Sequence, residues 1–513
     1  VKKRVLAALL AGMMSLSLVA GCGSTQETGG EASSSAGTEA GSAAEAVSEE
    51  ASAETAAESA PAAENEETVT VKWLVPADSQ KDLDMVMEDL NKKLVEKINV
   101  KLELETILQS EYADKVQLAS SSGEDFDLMF TSNWLNPFTS NVSRGALLPI
   151  DDLLNEYGQD IIASMPDWLL DVGKVDGVLY AVPNQQIIAT QLAVNVQKEY
   201  ADKYGLDVTS LSDISELYPF LDQIVANEPD MFPIDNRQAV DTKTKYEAIV
   251  TDAVYIEIGD ESATLVPATV AQEGQWRQDN EWYQKGYIRK DEATITDNSA
   301  DVKANRYVCS ISTYKPGGAA EYSATQGKEW LMIPIEGSYI TATGGIETMT
   351  AINVNSKNPE AAMKLLNLVY TDKEIFNELL FGLEGVHYNK TGDDSIELVE
   401  DSGYCLGTQA WKLGNQFNAW YMPGQEEGTW EATDELNRSS EISPIRGFTF
   451  NPENVQAEIA QINAVVAEFK NGQYTTDDID QYIADRNAKL EEAGLQTVMD
   501  ECQRQLDEWK AAQ

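Results

Sequence analysis

The chain has 513 residues, with 86 Asp and Glu against 37 Lys and Arg, one His and four Cys, for a formal charge of −49. That balance excludes nucleic acid as a partner, because phosphate affinity comes from clustered Lys and Arg and no such cluster follows the extreme N-terminus. One histidine excludes a histidine-rich metal centre, and the length allows two or more domains with ample core.

Lys2, Lys3 and Arg4 precede an apolar run from Val5 to Val19, which ends in Ala20-Gly21-Cys22. A run this short, closed by small residues, predicts a signal peptide over residues 1–21 that is removed, not a membrane span of about 20 residues. The ending resembles a bacterial lipobox. That resemblance implies that Cys22 is acylated, becomes the mature N-terminus and holds the chain on the outer face of the cell membrane. Residues 22–67 are rich in Gly, Ser, Ala and Glu and lack Lys and Arg. They are expected to form a disordered acidic tether with a reach on the order of 40 Å. Cys309, Cys405 and Cys502 show no C-x-x-C spacing, so a zinc site is not expected. Three buried free thiols is the reading preferred over a Cys309–Cys405 disulfide.

The folded body opens with the alternating run Val69 to Val75, a first strand ended by Pro76. Leu83, Val86, Met87, Leu90, Leu94 and Ile98 then recur at helical spacing, and a second strand runs from Val100 to Glu105. A helix around Tyr112 to Ala119 leads to Phe126 to Phe130, an apolar run suited to a buried parallel strand. Strand, helix, strand, helix, strand predicts a doubly wound sheet, whose ligands sit beyond the carboxyl ends of the strands, here at Thr131-Ser132-Asn133-Trp134. Asp176-Gly177 between β-prone residues predicts a hairpin running to Pro183-Asn184-Gln185-Gln186.

From Leu192 to about Tyr339 strands and helices begin again, including a helix Glu273 to Lys285 and a strand Arg306 to Ile311, which implies a second lobe. Asn358 is placed to cap a helix with Pro359 in its first turn. Near the C-terminus, Asn451-Pro452 starts a helix striped by Ile459, Ile462, Val466 and Phe469 and stopped by Gly472. A second helix follows from Thr475-Thr476-Asp477-Asp478 to Gly494, and a last one runs from Leu495 to about Lys510.

No nucleophile elbow, P-loop, dinucleotide turn or His-Glu-x-x-His motif is present. His387 stands alone in the Gly385-Val386-His387-Tyr388 turn and reads as a packing residue. A secreted glycoside hydrolase, which needs only two carboxylates, is the competing class. An adhesin fits an anchor but not a two-lobed body.

Several local patterns in order along some 450 residues carry a family resemblance: Phe126 to Phe130 followed by Trp134 and Arg144 to Ile150; Gly177 to Pro183; and Ser356-Lys357-Asn358-Pro359-Glu360-Ala361-Ala362. With the lipobox and tether, they resemble the family 1 extracellular solute-binding proteins of bacterial ABC importers. Gly382 to Tyr388, Gly414 to Phe417, Ser443 to Phe448 and Glu501 to Asp507 resemble a carbohydrate-type branch with a distinctive C-terminal domain. The fold implied is α/β: a two-lobed periplasmic-binding-protein-like fold with interlobe hinge strands and a helical C-terminal extension. The expected division is 68–185 and 346–390 for the first lobe and 186–345 for the second, with 391–513 returning to the second lobe and its helical domain.

The resemblance implies a monomer that takes up a small-molecule solute, an oligosaccharide with a peptide as alternative. It implies delivery to permease subunits, with no cofactor, no metal and no catalytic residue. A pyranose presents C–H faces and a hydroxyl rim, so aromatic rings and hydrogen-bonding side chains are sought. Trp134, with Ser132, Asn133 and Asn136 around it, is the leading candidate. Asn184 and Gln185 follow at the interlobe crossing. Tyr314, Trp411, Asn415 and Gln416 are expected from the second lobe. Trp276 and Trp282 share a helix and read first as core, and Arg446 reads first as half of an ion pair.

Overall fold

A computed structural model describes residues 67–208, 211–236 and 238–512; the signal segment, Cys22 and the tether to residue 66 lie outside the described residues. Val71 and Trp73 alternate with less buried neighbours before burial becomes continuous through Pro76, as a central parallel strand requires. This strand, Val69–Pro76, pairs in parallel with Val100–Ile107 on one side and Leu128–Thr131 on the other. Met349–Ile352 and Ala181–Pro183 complete the sheet in antiparallel register. Helix Leu83–Ile98 buries Val86, Met87, Leu90 and Leu94 and ends on Asn99, whose left-handed conformation lets its N–H reach the Val95 carbonyl. Each such leucine, fully buried, stabilises the fold by about 1.5–3 kcal/mol.

The second lobe is built on a five-stranded mixed sheet in the order Glu441–Ile442, Trp330–Ile340, Thr190–Gln197, Tyr307–Thr313 and Phe232–Asp235. Its core holds Trp282, Tyr287, Val308 and Cys309. Beside it lies an antiparallel meander of Tyr246–Val250, Val254–Glu257 and Leu265–Pro267. The C-terminal helices Gln456–Phe469, Ile479–Glu492 and Leu495–Ala512 share an apolar cluster with that meander through Val250, Val254, Ile462, Leu490 and Leu506. The chain passes between the lobes three times, over 184–189, over 341–348 and through residue 440, between helix Thr429–Ser439 and strand Glu441–Ile442.

Several expectations need correction. The return to the first lobe does not end at 390: Ile396, Tyr404, Leu413, Trp420 and Trp430 all lie in the first-lobe core, where Trp420 stacks on Phe381 at 6.3 Å. An aromatic cluster of that size finds its apolar partners only there. The third strand begins at Leu128, not Phe126, and Asp127 before it bonds to Lys72 twice, its carboxylate accepting from the Lys72 N–H and its N–H donating to the Lys72 carbonyl. Asn358 stands at the helix N-terminus without a side-chain cap; its amide donates instead to the Thr70 carbonyl. Gly472 does not stop a helix: Phe469 is the last residue, Asn471 takes the left-handed turn, and Gly472 opens a short helical turn to Thr475. Cys309, Cys405 and Cys502 are all free, with Cys405 only partly buried. His387 is buried, its Nδ1 accepting from the Leu383 N–H, which is a packing role.

Candidate functional site

The loop after Leu128–Thr131 is held by its own small polar residues. The Ser132 hydroxyl accepts from the N–H groups of Trp134 and Leu135 and donates to the Leu135 carbonyl. Asn136, at φ +52°, donates to the Phe130 carbonyl, and Asn141 donates to the Asn136 side chain at 2.9 Å. Such side-chain-to-backbone bonds fix a loop without a regular element. What they present is the Trp134 ring, 44% exposed, with its Nε1 donating to the Glu347 carbonyl of the second crossing. Asn133 beside it is exposed, whereas Ser132 is buried scaffold.

Trp411 lies 6.1 Å from Trp134, its ring tilted by 33°, so the two indoles form an aromatic pair beyond the carboxyl end of the first-lobe sheet. The short helix Gly407–Lys412 that carries it approaches Phe381 so closely that a Cβ on Gly407 would sit 2.1 Å from that ring. Lys412, 3% exposed, donates to the Pro76 carbonyl and to Gln109 Oε1, with its Nζ 4.8 Å from the Trp411 ring centre. Burial lowers its pKa. It was not singled out in the sequence, where a lysine in a polar stretch looks like a surface residue.

Trp411, Asn415 and Gln416 therefore belong to the first lobe, not the second. The segment is tied there because the Gln185 N–H donates to the Gly414 carbonyl and the Gln416 N–H to the Gln185 carbonyl. Asn415 accepts from the Phe417 N–H, an Asx turn. Gln185 is buried and donates to Ser164 Oγ at 2.7 Å, and Asn184 accepts from the Tyr370 hydroxyl at 2.7 Å. These amides build the crossing and do not face an open site.

At the crossing end of the second lobe is a cavity of about 830 Å³. It is enclosed by the strand starts Thr190 and Gln191, the meander, the first turn of helix Glu273–Lys285, the crossing residues Thr341 to Thr343 and the segment Ile445 to Phe450. Tyr314 adjoins it: Thr313 lines the cavity, and the Tyr314 N–H donates to the Gln191 carbonyl at 2.6 Å. Trp276 lines it as well, half-buried, while Trp282 is sealed in the core and donates to the Tyr218 hydroxyl. Glu247 in the wall accepts from the Tyr339 hydroxyl and the Ala342 N–H, which pins the second crossing to the meander. Burial lowers the Lys243 pKa.

Arg446 corrects its expectation. Its guanidinium donates to the carbonyls of Thr341, Ala342, Gly344 and Trp168 and lies 5.1 Å from the Trp168 ring, and among the described residues no carboxylate bonds to it. Burial brings its pKa down to about 10. It clamps the second crossing, where Gly345 at φ +101° makes a turn that L side chains rarely adopt, to the first lobe.

The cavity was hidden in the sequence because its lining comes from six separated stretches of the chain. One signal was available: Gln272, Gln275, Trp276 and Asp279 follow helical spacing, and a polar stripe on the buried side of a helix calls for polar company.

Two lobes with their own sheets, three crossings and a cavity of small-molecule size beside them define the two-lobed class of solute-binding proteins. The chain belongs to the bacterial extracellular solute-binding protein family, whose description it matches over residues 86–385; residues 444–511 match a domain of unknown function (DUF3502). It is 26% identical over 459 residues to a carbohydrate ABC transporter substrate-binding protein of Streptococcus pneumoniae, covering 87% of this chain and 92% of that one. The crystal structure of the N-glycan transport solute binding protein (NgtS) from Streptococcus pneumoniae is similar at 24% identity with a TM-score of 0.73, covering 86% of this chain and 98% of that one. A complex of the same protein with Man5GlcNAc matches at 25% identity and a TM-score of 0.58, with the same coverage. These relatives are named as transport proteins, not enzymes.

Proposed function

We propose that the chain captures an oligosaccharide outside the cell and delivers it, chemically unchanged, to the permease pair of an ABC importer. The observation that carries this reading is the Trp134–Trp411 pair at the carboxyl end of the first-lobe sheet. Indole faces cover the C–H faces of a pyranose, and the Thr and Gln side chains of the second-lobe cavity suit its hydroxyl rim. Likeness along most of the chain to relatives named for carbohydrate and N-glycan transport supports the sugar class. A sugar held by both lobes favours the closed form through contacts that the open form lacks. Cys22, acylated, tethers a monomer to the outer face of the membrane; a Cys22→Ala chain that still takes up labelled palmitate contradicts this part.

A thermal-shift screen against oligosaccharides and peptides, with product analysis alongside, tests the reading. A ligand at about a thousand times its Kd adds about 4 kcal/mol of stability. A shift by a glycan without product supports it. A shift by peptides alone moves the ligand class, and product formation puts a glycoside hydrolase first.

A further inference from the structure

The domain of unknown function starts at Pro444, and its first residues form part of the cavity wall. Ile445 and Phe448 anchor this wall in the apolar cluster of the meander and the last helices, and Phe448 meets Trp509 at 5.9 Å. Thr449 and Phe450 also line the cavity and are less buried.

The same domain reaches the cavity a second time, through helix Ile479–Glu492. Arg486, 1% exposed, places its guanidinium 4.4 Å from the centre of the Trp276 ring, and Tyr482, one turn earlier, lies 5.9 Å from that ring. Arg486 also donates to Gln272 Oε1. The Gln272 amide nitrogen in turn donates to Asp252 Oδ1 at 2.8 Å and to the Tyr255 hydroxyl at 2.7 Å. Trp276, Gln272, Asp252 and Tyr255 all line the cavity. Their orientation thus depends on a buried arginine of the C-terminal domain.

The charge of the lining is one-sided. Among the described residues, Glu247, Asp252, Glu336 and Glu441 stand against Lys243 alone. Carboxylates accept strong hydrogen bonds from sugar hydroxyls, whereas a sugar carboxylate brought among them meets like charge at short range. The volume, about 830 Å³, falls within the range of about 300–1,000 Å³ occupied by small-molecule sites.

We infer that, given the sugar-binding reading above, this cavity is the subsite for the leading residues of a neutral oligosaccharide, that Trp276 is its stacking platform, and that the C-terminal domain is the element that selects for it.

The test is isothermal titration of the purified full-length chain with Man5GlcNAc, a panel of other neutral oligosaccharides and oligouronates of matched length. The wild type is expected to bind a neutral member at least tenfold more tightly than any oligouronate. Trp276→Ala is expected to weaken that binding roughly tenfold, the loss of one aromatic stacking contact, Phe450→Ala severalfold, and Trp276→Phe to restore most of it. Should Trp276→Ala fail to fold, Phe450→Ala decides between the outcomes. Neutral-glycan binding that Trp134→Ala weakens, but that Trp276→Ala and Phe450→Ala leave intact, overturns this inference while the sugar-binding reading stands. A preference for oligouronates overturns it as well. No saccharide bound by the wild type overturns both.

Discussion

The rim of the first lobe and the cavity of the second use polar residues in opposite ways. At the rim, Asn184, Gln185 and Asn415 are buried and direct their side chains to Tyr370, Ser164 and the Phe417 N–H. That scaffold presents the indoles of Trp134 and Trp411, with the exposed Asn133 beside them. In the second lobe, polar and aromatic residues from six stretches of the chain surround open space. The difference teaches that nearness to an interlobe crossing does not make a ligand residue. Gln185 and Asn415 make their hydrogen bonds inside the frame, and Asn184 is sealed within it, although its Nδ2 has no partner among the described residues.

This contrast can be broken by substitution. The largest effect is expected at Trp282: its replacement by Ala empties the second-lobe core and costs about 3–5 kcal/mol in a denaturant titration, while Trp276, two turns away on the same helix, changes binding more than stability. If both tryptophans behave alike, the division into core and cavity fails. Next comes Tyr370→Phe, which takes a donor from the buried Asn184 and is expected to cost about 1–3 kcal/mol of stability with Kd unchanged. A weakened Kd without lost stability would move Asn184 into the site. Trp134→Ala is expected to loosen glycan binding by about 1 kcal/mol, since a stacking ring is lost. Its unfolding free energy should shift by less than about 0.5 kcal/mol, because the residue is 44% exposed and lies on a loop held by Ser132, Asn136 and Asn141. The smallest effect belongs to Gln416→Ala, whose tie to Gln185 runs through the backbone. Both stability and Kd should stay within about 0.5 kcal/mol of wild type.

Much of the fold was legible. The strand from Val69 and the helix from Leu83 stand where apolar spacing put them, because burial on one face imposes a period that a chain shows locally. The position of Trp134 was legible for a different reason: it follows a strand end, a place set by local order. The second-lobe cavity was not, because its walls meet only after the meander, the crossing and residues 445–450 have folded together. Trp411 was assigned to the wrong lobe for the same reason. Nothing local in Gly407 to Gln416 reveals that Phe381 and Gln185 are its partners. Arg446 looked like half of an ion pair in so acidic a chain, yet a turn with a cluster of inward carbonyls proved a better match for a planar donor fork.

The central claim is that the two lobes bind a sugar and release it unaltered. The most direct test is titration calorimetry of the chain with neutral oligosaccharides, followed by analysis of the recovered sugar. Saturable binding of one glycan class at one molecule per chain, with the sugar recovered intact, is the predicted result. The account is contradicted if no oligosaccharide binds, or if the bound sugar is recovered cleaved.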